Sequence, residues 1–191
     1  MTIDLVQAIL LVATDRQNRR RIKRLEGDSM RTSPIRVLVV EDFEPFRRFA
    51  CSTLQKETEV EVVGEVSDGL EAVQQAQQMQ PDLILLDIGL PTINGIEAAR
   101  RIRECAPQSK ILFVSENRSP DMVQEALRTG AGGYVLKSDA ASELLLAVKT
   151  VLEGKRFVSA SLAGHFLIAT ALTTTQTIHL SWMLMLISGI R

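Results

Sequence analysis

Between residues 35 and 152 the chain alternates short, nearly continuous apolar runs with stretches whose apolar residues recur at helical spacing. The runs Ile35–Val40, Val60–Val66, Leu83–Leu86, Ile111–Val114 and Tyr134–Leu136 have the length of strands. After the first come Phe46, Phe49, Ala50 and Leu54, spaced as one helical face. Asp68 opens a second helix carrying Leu70, Val73 and Ala76, and Asn94 caps a third with Ile96, Ala99 and Ile102 inward. Ser119-Pro120-Asp121 begins a fourth helix, with Val123, Ala126 and Leu127, which Gly130 stops. Leu144, Leu145, Val148, Val151 and Leu152 form the stripe of a fifth. Strands apolar on both faces, each followed by a helix, predict an α/β fold with a parallel sheet between helix layers. In such folds ligands bind beyond the carboxyl ends of the strands.

Those ends carry a distinctive set of groups. The first strand runs into Glu41-Asp42, the third into Asp87, the fourth into Ser115 and the fifth into Lys137. Three carboxylates, a hydroxyl and an ammonium would converge on one pocket. Crowded carboxylates repel and raise one another's pKa. A divalent cation with oxygen ligands resolves the repulsion, and Mg²⁺ suits hard ligands that leave room for water. Mg²⁺ with a lysine neutralises a phosphoryl group in transit, and one carboxylate can act as nucleophile to form an acyl phosphate.

The ordered segments VLVVED, PDLILLDIGLPTINGIE, ILFVS and GAGGYVLKSD resemble the receiver domain of two-component response regulators. The resemblance covers about residues 35–156 and implies a flavodoxin-like fold of five strands in the order 2-1-3-4-5. It also implies Asp87 as phosphoacceptor, Asp42 as direct Mg²⁺ ligand, and Glu41 as an acidic neighbour acting through water. The main-chain carbonyl of Gly89 would be a further metal ligand, Ser115 and Tyr134 the switch pair, and Lys137 the phosphate-binding lysine. A sensor histidine kinase is the implied donor. The implied output is a changed surface of the fourth helix, fifth strand and fifth helix, where a homodimer would form. Such a domain is a signalling module, not an enzyme beyond self-catalysed phosphotransfer and dephosphorylation, and its expected location is cytoplasmic.

Glu41 stands where aspartate is commoner, a frequent variation. Gly89 offers no side chain over the phosphoryl group, which bears on dephosphorylation rate. Ser138 stands where many receivers carry a cis proline. A non-proline cis bond costs about 3–4 kcal/mol, so this peptide is strained or trans.

Composition adds boundaries. The 191 residues are 46% hydrophobic and 24% charged, with a net charge of −1, as in globular chains. That charge is a cancellation: +3 over residues 1–34, −5 over 35–161 and +1 over 162–191. Cys51 and Cys105 cannot build a disulfide scaffold or a zinc site and read as small buried hydrophobes. Residues 1–34, with an apolar stretch and then RQNRRRIKR, read as a basic arm for a membrane surface or partner, or as an over-long start. The stretch AVKTVLEGKRFVSASLAG resembles the last helix and linker of NarL/FixJ regulators, which continue into a LuxR-type helix-turn-helix. Here 157–190 holds no Asp, Glu, Lys or Arg. Two readings stand for this tail: a hydrophobic helix docking on the receiver, a second chain or a membrane, or a frameshifted or truncated remnant of a DNA-binding half. His165 and His179 are incidental.

Three functions therefore compete: a phosphorylation-controlled signalling module, a NarL/FixJ-type transcriptional regulator that has lost its DNA-binding half, and an enzyme on a flavodoxin-like or phosphatase-like fold. The last lacks a second aspartate two residues after Asp87 and a glycine-rich loop after the first strand. Non-specific DNA affinity comes mainly from neutralising phosphates, and the tail's only charge is Arg191. An electrophoretic shift with promoter DNA is expected to show no specific, salt-sensitive complex; such a complex would favour the regulator.

Overall fold

A computed structural model describes residues 33–162 of the chain. Its strands are β1 (Ile35–Val40), β2 (Val60–Val66), β3 (Leu83–Leu86), β4 (Lys110–Ser115), β5 (Gly133–Leu136) and β6 (Phe157–Val158). The helices between them are α1 (Glu44–Leu54), α2 (Gly69–Met79), α3 (Gly95–Cys105), α4 (Pro120–Arg128) and α5 (Ala140–Leu152). All strands pair in parallel, in the order β2-β1-β3-β4-β5-β6. This is the parallel α/β architecture expected from the alternation and the flavodoxin-like fold implied by the resemblance, enlarged by one strand.

Side-chain alternation along the strands divides the core into two layers. Val37, Val39, Leu83, Leu85, Leu112, Val114 and Val135 face α1 and α5. Leu38, Val40, Ile84, Leu86, Phe113 and Leu136 face α2, α3 and α4. The inner strands are therefore apolar at successive positions because both faces are covered. The helix starts follow local chemistry. The Asp68 carboxylate accepts from the Leu70 and Glu71 N–H groups, and the Asn94 side chain accepts from Glu97 N–H. Gly130 ends α4 with φ +84°.

Some details differ from the sequence expectation. Leu70 is exposed, because the inward stripe of α2 runs through Gly69, Ala72, Val73 and Ala76, and Leu70 lies a hundred degrees off it. Cys51 is buried as expected, but Cys105 is only half-buried. Among the described residues there is no cis peptide bond, so Lys137 precedes a trans bond.

The larger correction concerns residues 157–162, expected to be linker. Phe157–Val158 pairs with Gly133 and Tyr134, so β5 is not the sheet's edge. Ser159 continues the pairing: its N–H donates to Tyr134 C=O (3.0 Å), and its hydroxyl accepts from Leu136 N–H (2.9 Å). Leu162 is buried in the same layer as Tyr134. The physical reason is that an uncovered β5 would leave a row of unpaired backbone groups beside apolar side chains. A two-residue strand carries no periodicity by which to find it.

The expected basic arm and hydrophobic tail fall on residues 1–32 and 163–191, outside the described residues. Among the described residues, no helix is long and apolar enough to cross a membrane.

Ser159→Ala is predicted to destabilise the fold by about 1–3 kcal/mol, because it strands the buried Leu136 N–H. Urea unfolding measures the loss. An unchanged midpoint would show that the Ser159 hydroxyl adds nothing to stability.

Candidate functional site

The parallel register brings the ends of β1 and β3 side by side, pairing Val40 with Leu86. The next residues, Glu41 and Asp87, therefore emerge together, both buried, with exposed Asp42 at the rim. Glu41, Asp42 and Asp87 each offer a carboxylate oxygen within 4.8 Å of the others. Gly95 permits this exit from the sheet: a Cβ there would lie 1.9 Å from Asp87 C=O.

Lys137, at the end of β5, reaches into this cluster. Its ammonium lies 2.8 Å from Glu41 Oε1 and 3.2 Å from Asp87 Oδ2. It also stands over the Phe46 ring, 5.1 Å from the centroid. The remaining Asp87 oxygen accepts from Ile88 N–H at 2.7 Å. Glu41 Oε1 also accepts from Phe43 N–H at 3.1 Å, while Glu41 Oε2 is buried with no hydrogen-bond partner.

The electrostatics follow from this packing. Burial pushes the Glu41 carboxyl above its usual range, and the Asp87 charge adds to this; the Lys137 contact only partly offsets them. Burial alone would lower the Lys137 ammonium, yet its bonds to Glu41 and the Asp87 charge hold it above the ordinary lysine value. One lysine faces three carboxylates, which leaves two negative charges in excess when all are ionised. The donor set is all oxygen and one buried carboxylate oxygen lacks a partner. The residues therefore fit a hard divalent cation such as Mg²⁺.

Ser115 and Tyr134 lie beside the cluster. Ser115 is buried at the end of β4. Its hydroxyl accepts from Asn117 N–H at 3.2 Å, and no hydrogen bond joins it to Asp87. Tyr134 is fully buried, with its ring 6.5 Å from that of Phe113, and its hydroxyl donates to Asn117 C=O at 2.8 Å. Burial raises the phenol's pKa, and the Asp87 charge adds to the rise. Gly89 leaves the approach to Asp87 open: a Cβ there would sit 3.4 Å from Oδ2.

Thus the structure gathers Glu41, Asp42, Asp87 and Lys137 and keeps Ser115 and Tyr134 on a separate hydrogen-bonded loop. Two contributors escape a reading of the sequence. Phe46 looks like core stripe, and only its place four residues after Asp42 hints at the site. Asn117 carries no signal beyond its position in the loop after β4.

Residues 37–149 match the family model described as the response regulator receiver domain. The chain belongs to that family. It is 35% identical over 132 residues to the transcriptional regulatory protein DegU of Brevibacillus brevis, covering 69% of this chain and 56% of the relative. It is 33% identical over 133 residues to the transcriptional regulatory protein LiaR of Bacillus subtilis, covering 70% and 63%. The chain thus spans somewhat more than half the length of these curated relatives. Among solved structures it resembles a LuxR-family two-component response regulator from Aurantimonas (TM-score 0.69, 29% identity, 73% of this chain and 99% of that one). It also resembles the receiver domain of the putative response regulator NarL of Mycobacterium tuberculosis (TM-score 0.61, 32% identity, 64% and 99%).

Lys137→Met is predicted to cost about 3 kcal/mol at pH 7, because it leaves two buried carboxylates without their cation. The sign with pH follows from Glu41. A carboxyl whose folded pKa exceeds its ordinary 4.5 holds its proton more tightly when folded. Glu41's contribution to stability therefore falls as pH rises above 4.5, and the penalty of the variant shrinks toward pH 5. Urea unfolding at pH 5 and 7 tests this; an equal loss at both would contradict it.

Proposed function

We propose that the chain is a phosphorelay receiver in which Asp87 takes a phosphoryl group from a sensor histidine kinase. The observation that carries this reading is the pairing of Lys137 with Glu41 and Asp87 in a buried, all-oxygen cluster. The module is a signalling domain, not a classical enzyme.

In this reading Ile88 N–H fixes one Asp87 oxygen, and the other, Oδ2, is the nucleophile on the open side over Gly89. The Oδ2–P bond forms as the P–N bond of the donor phosphohistidine breaks, and the imidazole keeps the electron pair. Lys137, already held between Glu41 and Asp87, follows charge onto the phosphoryl oxygens. Mg²⁺, held by Glu41, Asp42, Asp87 and the Gly89 carbonyl, would supply further charge neutralisation. The Ser115 hydroxyl exchanges its Asn117 partner for a phosphoryl oxygen. Asn117 also receives the Tyr134 hydroxyl, so the exchange shifts the balance of the loop before α4. The responding surface comprises α4, β5 and α5, with β6 beside β5, and is the proposed homodimer face.

The domain division is 1–34, a receiver at 35–156, and 157–191, with residues 157–162 now counted with the receiver. A second reading, a transcriptional regulator, draws on the names of the curated relatives.

Incubation with acetyl phosphate and Mg²⁺ is expected to add one phosphoryl mass to the wild type and none to Asp87→Asn, and omitting Mg²⁺ should suppress the gain. Equal labelling of Asp87→Asn would sink the assignment.

A further inference from the structure

At the opposite end of the sheet, among the amino ends of β4 and β5, lies an open cavity of about 330 Å³. Arg103, Lys110, Lys155 and Arg156 line it, and no acidic side chain does. Gly130 and Gly154, which follow α4 and α5, complete the relevant wall.

Two of the cations have structural work that leaves part of their capacity unused. Arg103 donates to Ser109 C=O (2.9 Å) and Gly130 C=O (2.6 Å), but its Nε is buried without a partner. Lys110 donates to Val151 C=O (3.0 Å) and Leu152 C=O (2.5 Å) and keeps a third donor. Backbone carbonyls before β4 and near the ends of α4 and α5 thus account for two donors on each. Lys110 Nζ is therefore the floor group with a donor left for an anion, and the Arg103 guanidinium adds its fixed positive charge beside it.

The two glycines leave room for the anion. A Cβ on Gly130 would sit 3.5 Å from Arg103 Nε, and one on Gly154 would sit 4.0 Å from Lys110 Nζ. Both adopt left-handed backbone, φ +84° and +80°, which side chains disfavour. At the rim Lys155 shares its charge with Glu153 at 2.6 Å. Arg156 is exposed and makes no ion pair among the described residues.

We infer that this cavity binds a small molecule bearing linked phosphates, with Arg103 and Lys110 at its floor and Lys155 and Arg156 at its mouth. Arginine forks and lysine point charges are suited to phosphate oxygens. Liquid water takes about 30 Å³ per molecule, so the space exceeds that of a single orthophosphate. Four cations likewise match more than one phosphate group. The site is separate from the Asp87 cluster.

Inorganic pyrophosphate is the probe, added to the full chain without Mg²⁺ at constant ionic strength and followed by amide NMR. Saturable shifts are expected at residues 130–132 and 153–156, with at least tenfold weaker binding of orthophosphate. The double variant Lys155→Gln/Arg156→Gln changes only exposed side chains and should keep the wild-type spectrum while losing at least tenfold in affinity. Absence of saturation, shifts centred on Asp87, or equal affinity in the variant would overturn the site. Equal affinity for both anions would overturn the linked-phosphate assignment.

Discussion

The structure depends on one electrostatic constraint: Glu41 and Asp87 are buried together and share a single cation, Lys137. Two like charges about 4 Å apart repel by about 4 kcal/mol at an effective dielectric of 20. The sheet order decides how the cation arrives. β5 lies two strands from β3, about 10 Å at ordinary strand spacing. The lysine must therefore extend across the end of β4. Ser115, the residue at that end, is small enough to allow it, and Lys137 N–H is tied to Ser115 C=O at 2.9 Å. The Phe46 ring, from α1, supports the ammonium from the side.

Ser115 and Tyr134 are coupled to this crossing through one residue, Asn117. Asn117 gives its N–H to Ser115 and takes the Tyr134 hydroxyl on its carbonyl. Its side chain accepts from Ser119 N–H at 2.8 Å, where the Ser119 side chain makes no cap of its own. The start of α4 and the Ser115 and Tyr134 side chains thus share a residue whose partners change if Ser115 turns toward Asp87. Tyr134 reaches that position because β6 covers its strand; on an exposed edge it would lack the burial that holds it inward.

How far the sequence discloses these arrangements varies with the physics of each. The inner strands are legible because burial on both faces demands apolar residues at every position, as in Leu83–Leu86. Asp87 and Lys137 are legible because charged residues directly after such runs must lie on one rim of a parallel sheet. Phe46 is hidden because an aromatic on a helical stripe looks the same whether it packs on strands or beneath an ammonium. β6 is hidden because Phe157 and Val158 owe their conformation to β5, far away in sequence, and not to any local period. Leu70 shows the reverse error, since being apolar and near a helix start does not place it on the stripe.

The C-terminal segment also changes what the receiver is as a mechanical object. Tyr134 C=O and Leu136 N–H both bond to Ser159, and the Asp139 carboxylate accepts from the Ser161 hydroxyl. These three residues surround Lys137 in the chain. A segment expected to lead away from the domain is instead stitched to the strand and loop that carry the tyrosine and the lysine. Moving either of those groups at the backbone requires the hydrogen bonds of 159–161 to lengthen or follow. Since Leu162 is buried in the Tyr134 layer, with Val158 packed against it and Phe157 against the other layer, following costs less than breaking. The stretch leading toward residue 163 is therefore joined rigidly to the Lys137 strand.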